Sequence, residues 1–202
     1  MKRSEVVLVD FGMGNLRSVA RSLERAGALP RVSADPSEVR SAARVVVPGV
    51  GNCARAMEQL RQAGIDDAIR ERIAAGRPYL GICLGLQLLL EYAEEGPADA
   101  LGIIPGNVTR FPDSPGLSIP HMGWNRVETT TEHPVLESGY FYFVHSYRAE
   151  SVAPDRLLAL SDYGVKFPSA VGFGSCVAVQ FHPEKSQRAG LALLERFMSW
   201  TP

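Results

Sequence analysis

The run Pro78-Tyr-Leu-Gly-Ile-Cys83-Leu-Gly-Leu-Gln87 constrains this chain most, because an apolar stretch of strand character passes into a helical pattern with one cysteine between glycines at the join. Such a corner reads as a nucleophile elbow. The side chain is held on a tight strand-to-helix turn, the glycines let backbone and substrate come close, and the helix N-terminus favours a thiolate. About a hundred residues later, Val177-Ala-Val-Gln-Phe-His182-Pro-Glu184-Lys-Ser186 reads as a second buried strand ending in a histidine and a carboxylate. Together they suggest a Cys83-His182-Glu184 triad.

The rest of the first half repeats the same alternation. Val6 to Val9 leads into Asn15 to Ala26, where Leu16, Val19, Ala20 and Leu23 recur at helical spacing before Gly27. Arg44 to Val47 leads through a glycine turn into Cys53 to Gln62, and Pro78 to Ile82 leads into Leu84 to Tyr92. Strands alternating with helices imply a parallel sheet covered on both faces. From about Gly102 the texture changes to short β-prone runs punctuated by Pro and Gly: 106–109, 124–128, 140–144, 169–171 and 176–181. These read as antiparallel strands, with Phe173-Gly-Ser175 as a hairpin connection. Leu191, Leu194, Phe197 and Met198 mark a closing amphipathic helix, and 94–97 and 111–116 read as exposed loops. The expected fold class is α/β, an open mixed sheet with a parallel core, helices on both faces and an antiparallel C-terminal part.

Ligands of an open α/β sheet collect beyond the carboxyl ends of its strands. Three segments are expected to meet there: Pro48-Gly49-Val50-Gly51, the Cys83 elbow and His182-Pro-Glu184. With 202 residues, 46% hydrophobic, the chain can bury one sizeable core, so residues 1–202 are read as a single domain. A net charge of -1 gives no bulk reason to bind nucleic acid or an anionic membrane. Met1 to Asp10 reads as a first strand rather than a signal peptide, and no stretch of transmembrane length follows. Cys53, Cys83 and Cys176 are an odd set without metal-ligand spacing, as expected of reduced thiols in the cytoplasm. His121, His133 and His145 lack zinc-motif spacing; Phe11-Gly-Met-Gly-Asn15 lacks the third glycine of a dinucleotide fingerprint; no Walker-type lysine occurs. No cofactor or metal is expected.

A thiol attacks an amide carbon usefully only as thiolate, so a base must take its proton and later return it to the leaving amine. His182 suits both tasks, and Glu184 suits the far ring nitrogen, fixing the tautomer and stabilising the imidazolium. The developing oxyanion needs donors. The Leu84 amide is one candidate, and the Gly49-Val50-Gly51 backbone is the second. Cys53 and Cys176 read as small packing residues.

At Gly81-Ile-Cys83-Leu-Gly-Leu-Gln87 and His182-Pro-Glu184 the chain resembles the triad, or class I, glutamine amidotransferases, whose glutaminase domains hydrolyse glutamine through a cysteine thioester. Within that family, Pro48-Gly-Val-Gly51, Pro120-His-Met-Gly-Trp-Asn125, Tyr142 to Tyr147, Phe167 to Val171 and Gln180 to Ser186 resemble the glutaminase branch of imidazole glycerol phosphate synthases. The resemblance implies that ammonia passes to a separate cyclase subunit, a (β/α)8 barrel joined as a heterodimer, which forms imidazole glycerol phosphate and aminoimidazole carboxamide ribotide in histidine biosynthesis. It further implies that Gln87 and Glu95 hold L-glutamine, Glu95 by its α-ammonium, with the backbone of His145, Ser146 and Tyr147 on the α-carboxylate side. Trp124, Tyr142 and Lys185 fall at the implied partner interface. Three other readings stay open on the residues alone: a glutaminase of the same fold serving another synthase, a Cys-His hydrolase of γ-glutamyl peptides or other amides, and a catalytically dead binding module.

Overall fold

The structure is a computed structural model that describes residues 4–113 and 115–202. Its first half runs β1 (Ser4–Val9), α1 (Leu16–Arg25), β2 (Ala28–Ser33), α2 (Pro36–Ser41), β3 (Val45–Gly49), α3 (Cys53–Ala63), α4 (Ile65–Ala74) and β4 (Tyr79–Cys83). Every residue of β3 and β4 is buried, as a strand covered on both faces requires. The pleat sends Val45 and Val47 to one side with Met57, Leu60 and Ile69 of α3 and α4, and Val46 to the other with Val19, Leu23, Leu194 and Phe197. Asn15 caps α1 by accepting from the Ser18 amide, and Asn52 caps α3 through Arg55.

The second half runs α5 (Leu84–Gln87), β5 (Tyr92–Ala93), β6 (Ala98–Asp99), β7 (Asn107–Arg110), β8 (His121–Thr129), β9 (Gly139–His145), β10 (Tyr147–Glu150), β11 (Leu157–Asp162), β12 (Lys166–Phe173), β13 (Cys176–Val179) and α6 (Gln187–Ser199). Among the described residues, nine strands form the main sheet in the order β2-β1-β3-β4-β13-β12-β11-β8-β9. A smaller sheet has the order β10-β7-β5-β6. The chain steps from one sheet to the other at Ser146, between β9 and β10.

The expected parallel core and antiparallel continuation are both present, with two exceptions in direction. β12 and β13 form the expected hairpin, Phe173 opposite Cys176 across Gly174 and Ser175, but β13 also lies parallel to β4. Since β12 runs against the core, its hairpin partner must run with it. β7 is parallel to β5 and antiparallel to β10. The helix expected over 84–92 stops at Gln87. The carbonyls of Leu88, Leu89 and Leu90 are taken by amides of Leu101, Ile103, Ile104 and Gly102, so the leucines are buried by a loop rather than by more helix. Met1 to Arg3 of the expected first strand, and Ser114 of the expected 111–116 loop, lie outside the described residues.

Candidate active site

β4 delivers Cys83 to the rim of the sheet at φ 54°, ψ −105°, a conformation that L residues rarely adopt and that recurs where a side chain is held for chemistry. Gly85 makes the corner possible. A Cβ there would lie 1.9 Å from the Val47 carbonyl oxygen, so the helix can sit on β3 only without a side chain. Gly49 pairs with Cys83 in the β3–β4 ladder, and Gly51 turns the chain away just beyond β3 at φ 102°. The Leu84 amide opens α5, where backbone N–H groups have no helical acceptor. Phe11 to Asn15 is an irregular bend that lies against this segment: the backbone of Gly14 approaches Pro48 and Gly49, and Met13 approaches Gly51.

Beyond β13, the second buried strand delivers His182 and Glu184. Glu184 Oε1 lies 2.7 Å from His182 Nδ1, with both side chains at most 3% exposed. The carboxylate therefore fixes the proton on Nδ1, and Nε2 is left without a hydrogen bond. Burial opposes the imidazolium, but the neighbouring Cys83 sulfur and the Glu184 carboxylate outweigh it and hold the His182 pKa above its ordinary value. The loop is tied to β9: the His182 amide donates to the Tyr142 carbonyl at 2.9 Å, and Ser186 Oγ donates to the His182 carbonyl at 2.6 Å while accepting from the Tyr142 amide at 2.9 Å.

Cys83 opens onto a cavity of about 250 Å³, smaller than a drug-sized pocket and suited to a single amino acid. Of the residues expected from sequence, Val50, Gly51, Leu84, Gln87, Glu95, His145, Ser146 and Tyr147 line it. Gly49 does not; it lines a smaller pocket with His182, Glu184 and Lys185 on the other side. Glu95 is partly buried in the turn joining β5 to β6, and burial raises its pKa, offset in part by the Cys53 amide. Gln87 Nε2 donates to the Tyr147 carbonyl and to Gln180 Oε1, both at 3.1 Å, leaving its own oxygen unspent on these partners. Gln180 is fully buried and its Nε2 lies 3.6 Å from Cys83 Sγ, a contact that reading the sequence missed.

The residues expected at a partner surface lie together. Trp124 stands opposite Tyr142 across β8 and β9, the rings edge to face at 6.3 Å, and Lys185 Nζ lies 5.7 Å above the Tyr142 ring. Alternation along the strands adds Met122 and Tyr140, 61% and 60% exposed, to the same outer face. Cys53 and Cys176 are buried away from this chemistry, and burial pushes the Cys53 thiol up to about 12. His133 accepts from the Val135 amide and meets Trp200 edge to face. Among the described residues, no group of three or more His, Cys, Asp or Glu is placed to hold a metal ion, and no helix is long and apolar enough to cross a membrane.

Residues 7–199 match the glutamine amidotransferase class-I family. The chain belongs to the class-I glutamine amidotransferases. Relatives matched over nearly its full length narrow the likeness. Imidazole glycerol phosphate synthase subunit HisH of Nitrosomonas europaea is 46% identical over 98% of this chain and all of its own length. The subunit of the same name from Symbiobacterium thermophilum is 47% identical over 95% of this chain and 92% of its own. Two solved structures share the amidotransferase fold: one titled glutamine amidotransferase, at TM-score 0.74 and 23% identity over 95% of this chain and 98% of that one, and PurLQS from Thermotoga maritima, at TM-score 0.76 and 15% identity over 98% and 99%.

Proposed function

We propose that this amidotransferase hydrolyses glutamine to glutamate and ammonia and hands the ammonia to a separate cyclase subunit, as the glutaminase half of an imidazole glycerol phosphate synthase. The observation that carries the reading is an elbow cysteine that opens onto a cavity holding a carboxylate fit for an α-ammonium and that neighbours, behind it, a histidine held by a buried carboxylate, in a chain 46% identical to a HisH subunit over nearly its full length. Cys83 Sγ attacks the side-chain amide carbon of glutamine, and the oxyanion is met by the Leu84 amide and the Val50-Gly51 backbone, the part of the glycine segment that lines the cavity. His182 gives its proton to the departing ammonia, then takes one from the water that cleaves the thioester; Sγ leaves and glutamate forms. Glu184 keeps the imidazole in one tautomer throughout. Gln87 and Glu95 hold the substrate, and the backbone of 145–147 meets its carboxylate.

The partner is read as a (β/α)8 barrel in a heterodimer, seated on Met122, Trp124, Tyr140, Tyr142 and Lys185, an exposed aromatic patch beside the catalytic loop. The chain acts as one glutaminase domain over 1–202. Three unpaired cysteines fit work in the reducing cytoplasm. Cys83→Ala tests the chemistry in the assembled complex: glutamine-dependent synthesis is lost while synthesis from added ammonium salt persists. Loss of both activities in a folded, assembled complex contradicts this division of labour.

A further inference from the structure

Outside the triad, His121 and His145 are the buried titratable pair that glutamine hydrolysis does not call on, at 2% and 5% exposure and opposite each other on β8 and β9. Their hydrogen bonds have a fixed direction. His145 Nδ1 lies 2.7 Å from the Tyr147 carbonyl oxygen, which can only accept, so Nδ1 carries the proton and Nε2 of the neutral ring accepts. The donor to it is His121 Nδ1 at 3.0 Å, and His121 Nε2 in turn accepts from Asn125 Nδ2 at 3.2 Å. That amide also donates to the Asp162 carbonyl at 2.8 Å, a second obligate acceptor that fixes its orientation.

A second arm leaves the same Tyr147 carbonyl. It accepts from Gln87 Nε2, whose amide also donates to Gln180 Oε1, so Gln180 must present its nitrogen, not its oxygen, to Cys83 Sγ at 3.6 Å. The orientation decides the interaction, because a flipped amide would set an oxygen against the thiolate. Such a buried polar chain is not needed for core stability, since apolar side chains of similar volume pack at least as well.

We propose that Gln180 acts on the nucleophile directly, holding Cys83 Sγ for attack, and that the Tyr147 carbonyl with His145, His121 and Asn125 is a positioning chain that fixes the orientation of the Gln87 and Gln180 amides. This rests on the glutaminase reading above. Gln180 itself does not line the glutamine cavity, so its loss falls mainly on turnover, and a rise in KM reports on Gln87, the cavity residue whose amide it anchors.

The test is steady-state glutamine hydrolysis by the complex with its cyclase and the cyclase's nucleotide ligand. Gln180→Met lowers kcat by about tenfold to a hundredfold, the cost of a misplaced reacting atom, and raises KM for glutamine by a smaller factor as Gln87 loses its acceptor. Gln180→Glu, which keeps the acceptor for Gln87 and sets an oxygen towards the sulfur, is slower still. His121→Phe keeps a ring against Phe143 and Tyr163, loses both hydrogen bonds and lowers kcat a few-fold. In kcat the Gln180→Met/His121→Phe double variant is no slower than Gln180→Met alone, because the arm reaches the sulfur only through the Gln180 amide. A folded Gln180→Met enzyme with kcat within about twofold of the parent, or a double variant showing the full product of the two losses, overturns the proposal. If neither Gln180 variant folds and assembles, the residue is a core-forming one and the positioning role is wrong. A parent complex without glutaminase activity would remove the glutaminase reading itself; an active parent with indifferent variants removes only this inference.

Discussion

His121 and His145 have ordinary pKa values of 6.5, and burial brings them down to about 4 and about 3, the latter despite the Tyr147 carbonyl that favours its protonated form. The folded protein keeps both neutral where the unfolded chain protonates them. Stability from this pair is therefore complete above about pH 6.5 and falls as pH drops towards 4, and towards 3 for His145, because the unfolded state binds more protons in that window. Urea denaturation followed from pH 7 to pH 4 should show the midpoint falling, and His121→Phe should flatten that dependence by about one proton. An unchanged slope would mean that His121 titrates normally in the fold. Cys83 illustrates the other residue-level device: its positive φ holds one side chain at a corner where an ordinary strand would turn it into the sheet.

The elbow is where element geometry and chemistry meet. Gly85→Ala would place a methyl group 1.9 Å from the Val47 carbonyl, so the variant is expected to lose about 3 kcal/mol or more of stability, read by urea unfolding, and to lose turnover with the displaced corner. Wild-type stability and activity together would contradict the close packing of α5 on β3. β3, β4 and β13 were legible in the sequence because a strand covered on both faces must be apolar throughout, and α1 because Asn15 and Gly27 punctuate a clear stripe. β2 was not: it is an edge strand, where Pro30 and Arg31 are tolerated and break the apolar run. α4 was hidden by Arg72, which lies in its buried stripe and donates to the carbonyls of Val39, Ala42, Ala43 and Pro78. β5 and β6, two residues each, are too short for any period to show. In the site, the cysteine, histidine and glutamate announce themselves by residue type at strand ends. Gln180 does not, since a polar residue after a strand acquires meaning only when β13 is laid beside β4 and its amide meets the sulfur.

At the scale of the whole molecule, the parallel core gathers β3, β4 and β13 side by side, so that the Gly49 to Gly51 segment, Cys83 and His182 leave the same end of the sheet together. The antiparallel half turns Trp124 and its neighbours outward on β8 and β9, one hydrogen-bonded step from the His182 loop through Tyr142 and Ser186. Trp124 is 47% exposed, so Trp124→Ala should leave the isolated chain folded and weaken binding to the cyclase by about 2 kcal/mol or more, measurable by titration calorimetry. Unchanged affinity would move the interface elsewhere. The patch lies beside the His182 loop, so partner binding is expected to act on turnover. Glutamate release from glutamine by this chain alone, with the cyclase, and with cyclase plus its nucleotide ligand tests the account most directly. Strong turnover only in the last mixture is the predicted result; turnover indifferent to the cyclase would contradict it.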